Sequence, residues 1–147
     1  MLIKTKSLKE FEGVALGFAK KLRPNTQGAT VVLLSGDLGA GKTTMTQVIG
    51  KNFGVEKVMQ SPTFMIIRNY ELKINNFEQL FHIDAYRLES EKEIEKLGFQ
   101  EIISNPKNLV LIEWPEKIKK ILPRKVFKIS IEHINEKERL VEIDRSF

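Results

Sequence analysis

The chain has 147 residues, 41% hydrophobic and 29% charged, with a net charge of +5 and a pI near 9.4. That length and composition suit one soluble globular domain, expected to run from 1 to 147. Cysteine is absent, which excludes a disulfide framework and a thiolate metal site. No apolar run approaches the roughly 18–20 residues of a membrane span.

The segment Met1–Gly13 has no apolar core of signal-peptide type, so the cytoplasm is the expected compartment. Ser7 and Glu10 have the spacing of a capping box, each covering a free backbone N–H. Leu8, Phe11, Ala15, Phe18 and Leu22 then recur at helical spacing and predict a helix with one face on a core. Pro24 follows its end. Ala29–Ser35 is nearly all apolar and rich in β-branched residues, the pattern of a strand buried on both faces. It runs into a glycine-rich loop, and TTMTQVIGKNF reads as a helix closed by Gly54.

Phe64–Leu72 and Phe77–Ala85 read as strands joined through Ile74-Asn75-Asn76, an antiparallel hairpin. Leu88–Ile103 is predicted helical with a break near Gly98, ended by Ser104-Asn105-Pro106. Leu109–Ile112 is a second fully buried strand, and Pro115 opens a short helix over PEKIKKIL. Phe127, Ile129 and Ile131 alternate with Lys128, Ser130 and Glu132. A turn at Asn135–Lys137 then returns the chain through RLVEID as a C-terminal hairpin. The expected fold is a P-loop α/β domain. Its mixed sheet is flanked by helices, with hairpins after the P-loop helix and at the C-terminus.

The loop Gly36-Asp37-Leu38-Gly39-Ala40-Gly41-Lys42-Thr43 matches G-x-x-x-x-G-K-[ST] in full. Glycines let the backbone turn tightly and approach a phosphate. Successive N–H groups form an anion nest, and the following helix adds the positive end of its dipole. Lys42 would reach the β- and γ-oxygens, and the Thr43 hydroxyl would bind Mg²⁺. Thr44 is adjacent and is a candidate for a further phosphate contact.

A P-loop needs a second acid to hold Mg²⁺, usually at the end of a buried strand. Glu113 follows LVLI and Asp84 follows LFHI, so both are candidates. Glu113 is assigned to the metal shell through water. Asp84 is assigned to positioning the attacking water or to Mg²⁺, and the two roles are interchangeable on sequence. No Asn-Lys-x-Asp element for reading guanine is present, which favours ATP. His82 alternates with Phe81 and Ile83 and is read as a hydrogen-bonded structural residue. Two histidines without cysteine argue against zinc. Trp114 is expected near the nucleotide, on a partner face, or in the core; Tyr86 and Arg87 are candidates to contact nucleotide or partner, with a salt bridge to a nearby acid as the alternative for Arg87.

Taken together, SGDLGAGKTT, SPTF at Ser61-Pro62-Thr63-Phe64, HIDAYRL at His82–Leu88 and IEWPEKI at Ile112–Ile118 closely resemble the TsaE (formerly YjeE) family in order and spacing. SPTF or EWPE alone would be a weak signal; the four in order are specific. The resemblance implies a bacterial P-loop ATPase with ATP and Mg²⁺ as cofactors. It implies a role in forming N6-threonylcarbamoyladenosine at position 37 of tRNAs that read codons beginning with A. In that family TsaC makes threonylcarbamoyl-adenylate and TsaD–TsaB transfers the group. TsaE binds TsaD–TsaB, and its ATP hydrolysis resets that assembly, so tRNA is met only through the complex. The resemblance also places Ser61–Phe64 as a switch-like loop near the γ-phosphate.

Two readings compete. A small-molecule P-loop kinase would need a basic lid, for which Arg68, Arg87 and Arg124 are available but unclustered. An RNA-binding module rests on the basic pI alone. The basic residues are scattered, densest in EKIKK and LPRK, without the aromatic interleaving of an RNA-recognition surface. No coiled-coil pattern or extended apolar face is present, so a monomer is expected.

Overall fold

The structure is a computed structural model that describes residues 1–57, 59, 65–74 and 76–146. The expected switch-like loop Ser61–Phe64, and Asn75 of the expected turn, lie outside the described residues. A mixed seven-stranded sheet runs in the order β1-β7-β6-β2-β5-β4-β3. Its centre is parallel: β2 (Thr30–Ser35) pairs with β5 (Asn108–Glu113) and β6 (Val126–His133), and β5 pairs with β4 (Gln79–Asp84). Its margins are antiparallel: β3 (Ile67–Glu71) on β4, β7 (Arg139–Ser146) on β6, and β1 (Leu2–Thr5) on β7.

Burial follows this division. Every residue of β5 is buried, and all of β2 up to Leu34. A strand covered on both faces must be apolar on both, which is why these two segments read as continuous hydrophobic runs. In β6 burial alternates from Lys128 to Glu132, with Ile129 and Ile131 buried on one face, while Val126 is buried on the other. One face of the sheet carries α1 (Leu8–Ala19) and α2 (Lys42–Asn52), packed on Val32, Leu34, Leu80, Leu109 and Leu111. The other face packs Val31, Leu33, Ile83, Val110 and Ile112 beneath α3 (Glu91–Glu95), α4 (Phe99–Ser104) and a 3₁₀ helix (Pro115–Ile121). Among the described residues no helix is long and apolar enough to cross a membrane.

The predicted elements are present, with boundaries adjusted by tertiary context. The Ser7 hydroxyl accepts from the Glu10 N–H at 3.1 Å, and the Glu10 carboxylate accepts from the Lys6 N–H at 2.7 Å. The reciprocal arm of the capping box thus falls one residue early. Leu8, expected on the core, is 62% exposed; Phe11, Ala15, Phe18 and Leu22 carry the buried face instead. Gly98, at φ 87, breaks the helical stretch into α3 and α4 as expected. The N-terminal strand β1 was not anticipated. Four residues are too short to show a period, and β1 exists because the β7 edge offers it a ladder from Leu2↔Glu142 to Thr5↔Arg139.

Candidate functional site

The site forms where the most apolar strands end. β2 delivers the chain to Gly36, and α2 begins at Lys42. Gly36 has φ 151, and a Cβ there would lie 2.5 Å from the Ile131 carbonyl oxygen of β6. Gly41 has φ 122, and a Cβ there would lie 2.9 Å from the Phe11 ring of α1. The walls of the loop therefore favour glycine at both positions. Gly41 offers α2 no side-chain cap, so the first N–H groups of the helix are available to an anion.

An open cleft of about 410 Å³ lies over this loop. It brings together Leu38, Gly39, Gly41, Lys42, Thr43 and Thr44 with Asp84, Tyr86, Arg87, Glu113 and Trp114. Three members of the predicted loop lie off the cleft. Gly36 and Asp37 hold Lys42: its ammonium donates to the Gly36 carbonyl and, at 3.3 Å, to that of Asp37. Ala40 is buried, and its carbonyl accepts from Arg139 Nε of β7 at 2.8 Å. That brace was not visible in sequence, because it joins residues 99 positions apart.

The two acids arrive on neighbouring parallel strands in register, Asp84 opposite Glu113. Leu80, His82 and Asp84 share one face of β4, and Leu109, Leu111 and Glu113 the same face of β5, since strands alternate with period two. This is the face on which α2 packs, so the acids stand at its top beside the loop. The ladder continues past them, the Ala85 N–H donating to the Glu113 carbonyl at 3.1 Å. Asp84 Oδ1 accepts the Tyr86 N–H at 3.0 Å, and the Asp84 N–H donates to the Ile66 carbonyl at 2.9 Å. Glu113 is buried and its Oε2 lies 2.6 Å from His82 Nε2. The structure thus gives His82 the hydrogen bond expected of it, and the partner is a site acid.

Strained backbone accompanies each acid. Trp114, next to Glu113, has φ 58, and Ile66, hydrogen-bonded to Asp84, has φ 63. The left-handed region is costly for aromatic and above all β-branched residues, and such residues gather where the surroundings over-determine them. The Trp114 conformation turns the chain from β5 into the 3₁₀ helix and sets the indole over the cleft. Its ring centroid lies 3.9 Å from Lys42 Nζ and 4.9 Å from the Tyr86 ring. Of the alternatives for Trp114, the structure places it in the cleft wall with Tyr86 and Arg87.

Burial pulls the Lys42 pKa below the usual lysine value; the carboxylates of Glu113, Asp84, Glu116 and Asp37 oppose that shift in decreasing order. A doubly charged phosphate brought to this ammonium would act in the same direction as the carboxylates. Among the described residues no group of three or more His, Cys, Asp or Glu side chains is placed to hold a metal ion. The donor set suits Mg²⁺ rather than a softer metal: one hydroxyl at Thr43, carboxylates at Glu113 and Asp84, and room for water and phosphate oxygens.

The sequence profile of the family described as "Threonylcarbamoyl adenosine biosynthesis protein TsaE" matches residues 5–141. A protein of Rickettsia felis named tRNA threonylcarbamoyladenosine biosynthesis protein TsaE is 42% identical over 135 residues, 91% of this chain and 74% of the relative. One of the same name from Borreliella burgdorferi is 30% identical over 98% of this chain and 99% of its own. The crystal structure of Bacillus subtilis YdiB superposes with a TM-score of 0.71 at 25% identity, covering 99% of this chain and 84% of that one. A profile match over residues 5–141, with relatives 30% and 42% identical across most of both chains, shows that the chain belongs to the TsaE family.

Proposed function

We propose that this protein is a Mg²⁺-dependent ATPase that acts in forming N6-threonylcarbamoyladenosine at position 37 of tRNAs reading codons that begin with A. It does so in the cytoplasm, docked on TsaD–TsaB, whose cycle it resets by hydrolysing ATP. One observation carries the reading: Asp84 and Glu113, in register on adjacent parallel strands, share a cleft with Lys42 and Thr43.

In this reading the free N–H groups at the start of α2 and the Lys42 ammonium hold the β- and γ-phosphates. The Thr43 hydroxyl and Glu113, the latter through water, would hold Mg²⁺, which spreads the charge developing on the γ-phosphoryl group. Asp84 orients the attacking water. Trp114 and Tyr86 wall the cleft and limit solvent around Lys42. Thr44 adds a phosphate contact, and Arg87 is within reach of nucleotide or partner. An open cleft, which admits water around the reacting groups, favours slow turnover until a partner covers the site.

The test is ATP hydrolysis by the purified chain with and without purified TsaD–TsaB, beside Glu113→Ala. The expected outcome is stimulation by the partners that Glu113→Ala abolishes while nucleotide binding persists. An unchanged rate with partners present would sink the coupled reading. Transfer of labelled γ-phosphate to a metabolite instead of water would replace it with the kinase.

A further inference from the structure

We infer that His82 is a positioning residue: it fixes the carboxylate of Glu113 so that the other oxygen, Oε1, faces the cleft. The inference rests on the ATPase reading above for the role of Glu113, and on geometry for the rest. His82 Nε2 and Glu113 Oε2 are 2.6 Å apart, with side chains 1% and 4% exposed. In the β4–β5 ladder His82 stands opposite Leu111 and Asp84 opposite Glu113, so His82 reaches Glu113 along the diagonal. The strand that delivers Asp84 to the cleft therefore also carries the clamp on the second acid. One segment, HIDAYR, sets the positions of both.

The clamp has a defined sense. Among the described residues His82 Nδ1 has no hydrogen-bond partner. A buried N–H left without an acceptor costs more than a bare lone pair, because the donor loses water with nothing in return. Nε2 therefore carries the proton that is donated to Glu113 Oε2. A carboxylate buried this deeply would otherwise rotate to find a donor, and the Lys42 ammonium shares the cleft with it. Pairing Glu113 with His82 keeps Glu113 from capturing Lys42, which is left for phosphate.

The test compares wild type with His82→Gln, His82→Asn, His82→Leu, Glu113→Gln and the His82→Leu/Glu113→Gln double variant in the full chain. Glutamine carries an N–H donor about where Nε2 lies; asparagine carries one that is too short to reach. Each variant is assayed for ATP affinity in EDTA, ATP affinity in Mg²⁺, kcat and KM, and thermal midpoint. Outer partners of a metal-shell carboxylate typically contribute ~10- to 100-fold. His82→Leu and His82→Asn are expected to lose the Mg²⁺-dependent gain in affinity and ~10- to 100-fold in kcat. Affinity in EDTA should hold. His82→Gln should recover most of both, and His82→Leu should add nothing to Glu113→Gln.

If His82→Leu does not fold, the contrast between glutamine and asparagine at matched thermal midpoints decides. Equal Mg²⁺ dependence in His82→Gln and His82→Asn, or additive losses in the double variant, would overturn the inference. Wild type that binds Mg²⁺–ATP without hydrolysing it would remove the ATPase reading, and the binding comparison would still judge His82.

Discussion

The parallel centre of the sheet and its antiparallel margins solve different problems with the same backbone. Between their first and last residues β2 and β5 carry only apolar side chains, and at their carboxyl ends the chain sets Ser35 and Glu113. In β1 and β7 one face stays wet: Leu2 is 64% exposed and Val141 fully buried. The centre therefore supplies rigidity and concentrates charge at its carboxyl edge, where Lys42, His82 and Glu113 are all buried. The margins supply closure and solubility. The difference teaches that the site's precision comes from the most hydrophobic strands, because only a strand packed on both faces holds its terminal side chain to one position.

The largest expected effect is at the centre's edge. Lys42→Ala should reduce hydrolysis by ~100- to 1,000-fold, the scale seen when one preorganised charge-stabilising donor is removed. It should leave the thermal midpoint of the nucleotide-free protein unchanged or raised, since burying this ammonium costs folding free energy. The sign follows from linkage. Burial lowers the folded pKa of Lys42, so the unfolded chain binds more protons between the folded and unfolded values. Stability of the wild type should rise with pH across that window, and Lys42→Ala should remove this contribution to the rise. A collapse of the midpoint in Lys42→Ala would show that the lysine holds the loop together.

Leu111→Ala, in the middle of β5 and fully buried, should cost about 2–5 kcal/mol in denaturant unfolding. A loss below about 1 kcal/mol would mean that the centre is not the rigid element inferred here.

Arg139 is where margin and site meet. Arg139→Ala removes the donor to the Ala40 carbonyl and should cost about 1.5–3 kcal/mol, together with weaker nucleotide affinity. Lost stability with nucleotide affinity unchanged would separate the two regions functionally.

Leu2→Ala, on the outer strand and mostly exposed, should stay within about 0.5 kcal/mol of wild type by the same unfolding measurement. A larger loss would make β1 a structural partner of the centre instead of a covering strand.

Much of this molecule was legible in one dimension because its signals are local. The glycine loop, the apolar runs of β2 and β5, the break at Gly98 and the alternation in β6 each depend on neighbours within a few residues. Order and spacing of four short motifs pointed to the family for the same reason. Asp84 and Glu113 could be picked as strand-end acids, but not told apart in role. Other features rest on contacts between distant segments. His82 meets Glu113 across 31 positions, Arg139 meets Ala40 across 99, and β1 closes on β7 at the other end of the chain.

No local pattern encodes such pairs. Which strand lies beside which, and in what register, is settled by burial of the whole sheet. The exposed position of Leu8 has that origin too, since periodicity marks an apolar stripe but not where the core beneath it ends. The sequence by itself determined a P-loop on a doubly covered strand, and with it the chemistry available. Only the tertiary structure decided that the second acid is held by a histidine from the first acid's strand, and that the indole of Trp114 lies over Lys42. Local sequence can specify a conformation, but orientation between strands exists only once both are packed.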